Sequence, residues 1–169
     1  MAVKAVVVYE SFWGNTAAVA QAIAEGIGPE AEAMSTSEAT PEALAGVELL
    51  VVGAPVLGFR LPTEQMRDSL RKDMGGGPAP DLAHPSLRSW LEALPHGDGL
   101  AAAFETRIKL SPGGATGTIS KELERAGYRS AAKARKFIVT GRYGPLREGE
   151  LALAKEWGAE LAQALPTRR

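Results

Sequence analysis

With 169 residues, 45% hydrophobic content and a net charge of −1, the chain is long enough for one sizeable core, and its bulk charge argues against nucleic acid as a partner. It has no cysteine, which excludes disulfides, thiolate metal centres and thiol catalysis. Residues 1–4 lead straight into a strand with no signal segment, and no apolar run reaches membrane-spanning length. A soluble cytoplasmic protein forming one domain over residues 1–169, with no membrane insertion, is expected.

The first strand is expected over residues 3–9, where an unbroken apolar run suits a central parallel strand covered on both faces. A helix follows at 17–28, with Val19, Ile23 and Ile27 at i, i+4 and i+8 and a stop at Gly28-Pro29. Residues 31–35 suit a short edge strand. Thr40 and Pro41 open a brief helix, as cap and first helical residue. A second buried strand spans 48–54, and a helix with Met66 and Leu70 on one face spans 63–72. The Gly- and Pro-rich stretch at 73–81 reads as a mobile surface loop.

A short helix at 85–94 carries Leu87, Trp90, Leu91 and Leu94 on one face, with His84 as its cap. A strong strand at 99–104 ends in a polar turn, Glu105-Thr106-Arg107. A helix follows at 116–126, closed by Gly127, then a last strand at 136–141. The last helix, at 145–165, turns Leu151, Ala154, Trp157, Gly158, Leu161 and Leu165 inward and leaves Arg168-Arg169 as a tail. Strands alternating with helices predict a doubly wound α/β fold. Its five-stranded parallel sheet takes the order 2-1-3-4-5, with a ligand crevice at the carboxyl ends of strands one, three and four.

Charge is unevenly placed. Residues 5–59 contain Glu10, Glu25, Glu30, Glu32, Glu38, Glu42 and Glu48 and no base. Residues 128–147 contain Arg129, Lys133, Arg135, Lys136, Arg142 and Arg147 and no acid. Two solvated surfaces of opposite sign are the plain account; a basic edge that steers a charged partner is the sharper one.

The chemistry concentrates in the first turn. A strand that hands over to a helix presents unpaired N–H groups and the positive end of the helix dipole, an anion site to which Ser11, Asn15 and Thr16 add side-chain donors. With no Lys or Arg from Ala5 to Phe59, a phosphate there must be held by amides and hydroxyls. The Gly-Lys-Ser/Thr ending of a Walker loop and the Gly-x-Gly-x-x-Gly of dinucleotide folds are both absent. His84 and His96 have no second ligand at metal spacing and read as structural, and Trp90 and Trp157 lie at core spacing.

The pattern Tyr-x-Ser-x-x-Gly-Asn-Thr over Tyr9 to Thr16 resembles the phosphate loop of flavodoxins, and the element order resembles that family over the whole chain, in its short-chain form. The resemblance implies FMN as cofactor. Ser11, Gly14, Asn15 and Thr16, with the amides of Phe12 and Trp13, would hold its phosphate. Pro55, Val56, Leu57, Gly58 and Phe59 would flank one side of the isoalloxazine, with Phe59 touching the ring, and Glu105, Thr106 and Arg107 would lie near its other edge. The chain departs from the family pattern at Phe12, where a hydroxyl is usual, and Phe59 is the only aromatic in the two ring-flanking turns. Arg60 and Arg107 stand after those turns, as surface charges or as groups that favour the anionic reduced flavin or an acidic substrate.

The leading expectation is a redox protein that passes electrons through FMN to a partner reductase or acceptor, with no catalytic side chain of its own. The alternatives are a small FMN-dependent oxidoreductase of quinone or porphyrinogen type and a flavin-free binding module on the same fold. Turnover of NAD(P)H by the lone protein separates the first from the second, and a flavin spectrum excludes the third.

Overall fold

Valines pointing to both sides of a strand need cover above and below. The computed structural model, which describes residues 4–73 and 76–165, supplies it. The chain runs β1 (Ala5–Tyr9), α1 (Asn15–Ile27), β2 (Ala31–Ser35), β3 (Leu49–Pro55), α2 (Glu64–Lys72), α3 (Leu87–Glu92), β4 (Leu100–Ile108), α4 (Thr116–Arg125), β5 (Arg129–Ser130), β6 (Arg135–Val139) and α5 (Glu150–Gln163). Val6, Val8, Leu50, Val52, Ala101 and Ala103 pack on one face with α3 and α4. Val7, Leu49, Val51, Ala102 and Phe104 pack on the other with α1 and α5.

All strand pairs are parallel, and the order is β2-β1-β3-β4-β5 with β6 also on β4. Val7 lies opposite Ala33 on one side and Val51 on the other, and Val51 opposite Ala102. The fifth position in the expected order is thus filled twice. β5 pairs with the start of β4 at Leu100 and Ala101, and β6 with its end from Phe104 onward. Residues 131–134 bridge the two.

Several elements differ from the sequence expectation. Residues 40–46 form turns instead of a helix: Thr40 accepts from Ala43 N–H and Leu44 N–H as a cap would, and Gly46 at φ 76° then turns the chain away. His84 does not cap α3, because Ser86 accepts from Ser89 N–H instead, and the His84 imidazole meets Ser37 and Asp81. α5 starts only at Glu150, because Thr140 N–H donates to Pro145 C=O and holds 140–145 as a turn. Leu151 is consequently 46% exposed, and Glu150 takes the inward position. Its carboxylate accepts from Ile138 N–H at 2.6 Å and from Arg147 at 3.1 Å. Val3, Arg168 and Arg169, and part of the Gly-rich loop, lie outside the described residues.

Two glycines let α1 and α5 touch backbone to backbone. A Cβ on Gly26 would fall 1.9 Å from the Lys155 carbonyl oxygen, and one on Gly158 2.2 Å from that of Ile23. Trp157, beside Gly158, is buried against Phe104 and Phe137, with centroids 6.4 and 6.1 Å away. Gly158→Ala is expected to force the helices apart and to cost about 1–3 kcal/mol, the usual range for overpacking. Urea unfolding measures it, and an unchanged midpoint would show the contact to be compliant.

Candidate functional site

The carboxyl ends of β1, β3 and β4 open into one cleft of about 250 Å³. Its floor is the start of α1. Gly14 adopts φ 91°, and Ser11 Oγ accepts from Gly14 N–H at 3.1 Å and Ala17 N–H at 3.2 Å. Ser11 therefore spans the helix start. Among the described residues no acceptor reaches the N–H groups of Phe12, Trp13, Asn15 or Thr16. These open amides sit at the positive end of the α1 dipole, the arrangement that suits an anion.

The side chains around this turn have defined partners. Thr16 Oγ1 lies 2.8 Å from Thr106 Oγ1, both buried, so one hydroxyl proton of the pair remains for a further acceptor. Asn15 Nδ2 donates to Tyr143 C=O at 3.1 Å. Phe12 is buried with its ring 5.8 Å from the Arg67 guanidinium. Trp13 donates through its indole to Pro78 C=O at 3.0 Å and meets Tyr143 edge-on, with centroids 4.9 Å apart. Neither aromatic is placed as a free stacking surface.

The β3 turn forms one side wall with Pro55, Val56 and Leu57. Leu57 and Arg60 exchange both backbone hydrogen bonds across Gly58 and Phe59, which have φ 57° and 69°. Two positive φ values make a tight primed hairpin turn. Positive φ is uncommon for an aromatic, and such strain collects at functional sites. Gly114 N–H donates to Phe59 C=O at 3.0 Å and ties this turn to the one after β4, while the Phe59 side chain stands 60% exposed at the rim.

Glu105, Thr106 and Arg107 do not form a turn: β4 continues to Ile108, and all three are buried. Thr106 and Arg107 line the cleft, but Glu105 points to α4. There it accepts from Ala115 N–H at 2.9 Å and Thr116 N–H at 3.1 Å, so it caps α4, and it accepts from Arg107 Nη1 at 2.7 Å. The same Arg107 nitrogen donates to Gly113 C=O at 2.7 Å. Arg107 is therefore a charge balanced within the wall, not a surface cation. Ile108, Ser111, Val139 and Arg142, which sequence reasoning did not assign to the site, also line the cleft. The turn after β6 reaches the same edge of the sheet as the other three, and that was the available signal.

Behind the floor, Arg67 donates to Glu10 at 2.5 Å and to His84 C=O at 2.5 Å. Both side chains of this pair are buried. Burial pushes the Glu10 carboxyl above its ordinary value, against the opposing pull of the Arg67 hydrogen bond and charge. The basic stretch at 129–147 is not a bare cationic face: Arg135 faces Glu160, Arg142 faces Asp73 and Arg147 faces Glu150. Among the described residues no cluster of His, Asp or Glu is arranged to hold a metal, and no helix is long and apolar enough to cross a membrane.

The parallel order 2-1-3-4-5 and a cleft at its carboxyl edge define a flavodoxin-like α/β fold. Solved structures agree. An archaeal flavodoxin superposes with a TM-score of 0.62 at 20% identity, over 95% of this chain and 97% of its own. Oxidised flavodoxin 1 of Bacillus cereus gives 0.65 at 17% identity over 96% and 99%, and a flavodoxin, WrbA-like protein of Agrobacterium tumefaciens 0.58 at 19% over 96% and 96%. No protein-family model and no curated protein matches the chain.

Proposed function

We propose that the protein binds FMN in this cleft and passes electrons through it to and from a partner protein. The observation that carries the reading is the set of open amides at the start of α1, facing a cleft walled by apolar side chains. When bound, FMN supplies the redox chemistry, and the chain supplies binding and electrostatics. The amides of Phe12, Trp13, Asn15 and Thr16 would hold the phosphate, with the Thr16–Thr106 hydroxyl pair adding a donor. Gly14 provides the left-handed turn that aims them, and Ser11 fixes it. Pro55, Val56, Leu57 and Gly58 would lie along the isoalloxazine, with Phe59 at its rim and Arg107 near its other edge.

The absorption spectrum of the purified protein, before and after FMN, tests the reading directly. Fluorescence titration is expected to give far tighter binding of FMN than of riboflavin; equal affinities would refute phosphate recognition. Thr16→Val is expected to weaken FMN about 5-fold, as the loss of one neutral hydrogen bond implies, and riboflavin much less.

A second reading is an FMN-dependent oxidoreductase. It is favoured by the open rim, where Phe59 is 60% and Ile108 47% exposed and residues 105–114 offer no aromatic to cover the ring. Rapid oxidation of NAD(P)H by the lone protein would establish it over the carrier.

A further inference from the structure

The phosphate loop has no base within the first 59 residues except Lys4, yet a cation stands at its mouth. Arg142 lines the cleft together with Ser11, Asn15 and Thr16. Its guanidinium carbon lies 5.8 Å from the Trp13 ring centroid and 5.6 Å from that of Tyr143. Two aromatic faces within about 6 Å hold a guanidinium without neutralising it.

The turn that carries Arg142 is docked on the loop itself. Asn15 Nδ2 donates to the Tyr143 carbonyl, and the Tyr143 ring meets Trp13. Gly144, at φ 95°, has no Cβ where the Asn15 carboxamide passes; one placed there would lie 2.5 Å from Asn15 Oδ1. Residues 13 and 15 of the anion loop thus fix the position of residue 142. Asp73 lies 3.4 Å from the guanidinium, a long and exposed ion pair of the kind that contributes little.

We propose that Arg142 is the counter-charge of the anion loop, making the cleft select a phosphomonoester over its unphosphorylated analogue. This deepens the FMN reading and rests on the same cleft. A guanidinium can donate two parallel hydrogen bonds to phosphate oxygens, and charge-assisted contacts of this kind are the strong ones.

The test is a titration of FMN and riboflavin into wild type, Arg142→Gln and Arg142→Lys at low and moderate salt. Arg142→Gln is expected to lose about 10- to 100-fold in FMN affinity, with riboflavin unchanged and a flatter salt dependence. Arg142→Lys should keep the salt dependence but recover only part of the affinity, since it keeps charge and loses the planar fork. The side chain is exposed, and unchanged urea midpoints in the absence of ligand verify that the variants fold. If wild type binds FMN and Arg142→Gln keeps its FMN-to-riboflavin ratio, the counter-charge is overturned and the flavin reading stands. If wild type binds neither flavin, the flavin reading fails, and inorganic phosphate decides the rest. Phosphate that raises the thermal midpoint of wild type but not of Arg142→Gln sustains Arg142 as an anion receptor; equal response in both overturns it.

Discussion

Arg67→Met is expected to destabilise the protein by about 3–5 kcal/mol at neutral pH, because it leaves the Glu10 carboxylate buried without its charge partner. The guanidinium also serves the Leu82 and His84 carbonyls, so the variant loosens the segment leading into α3. The pH dependence gives the cause away. Burial already raises the Glu10 carboxyl, and removing Arg67 removes the hydrogen bond and charge that oppose the rise. A folded-state value above the unfolded one means that the folded state holds the extra proton. Stability of the variant is therefore greatest below the ordinary carboxylate value and declines as pH rises from there through the raised folded value. Urea unfolding of wild type, Arg67→Met and the double variant Glu10→Met/Arg67→Met between about pH 4 and about pH 8 measures this. The double variant should recover most of the loss and lack the pH slope. A flat profile for Arg67→Met would show that Glu10 carries no buried charge.

Glu105→Ala is expected to cost about as much, roughly 3–5 kcal/mol, by leaving the buried Arg107 cation unpaired. Two further losses accompany it, the acceptors for Ala115 N–H and Thr116 N–H at the start of α4. A double-mutant cycle with Arg107→Met separates the parts: the coupling energy reports the ion pair, and the residual cost of Glu105→Ala in the Arg107→Met background reports the cap. Coupling near zero would show that Arg107 is satisfied by Gly113 C=O alone.

The central strands were legible because Val6, Val7 and Val8, and Leu49 to Val52, are apolar on both faces, and few other environments accept such runs. The turn between β1 and α1 was legible for a related reason, since its strand, its glycine and its helix are contiguous. Glu105, Thr106 and Arg107 misled because polarity in a sequence normally signals solvent. Here Glu105 and Arg107, two apart on one face of β4, satisfy each other, and Thr106 on the other face meets Thr16 from 90 residues away. Arg142 was missed as part of the site for want of any local sign: its place is set by Trp13 and Asn15, far back in the chain. Periodicity places Leu151 inward, but α5 begins at Glu150, whose carboxylate takes the inward place and accepts from Ile138 N–H and Arg147.

That Glu150 contact has a consequence for the outer boundary of the sheet. A parallel sheet ends in a row of unpaired N–H and C=O groups, which invites the strand of another molecule to add itself. On β6 the outward groups of Ile138 are taken, its N–H by the Glu150 carboxylate and its C=O by Arg147 N–H, while Val139 bridges to Leu146. The chain folds its own 145–150 segment over the rim as a hem. β5, the other piece of this boundary, is only two residues long and offers too little ladder to template a neighbour. The carboxyl end of β6, beside the cleft, is thereby a poor template for a strand from a second molecule.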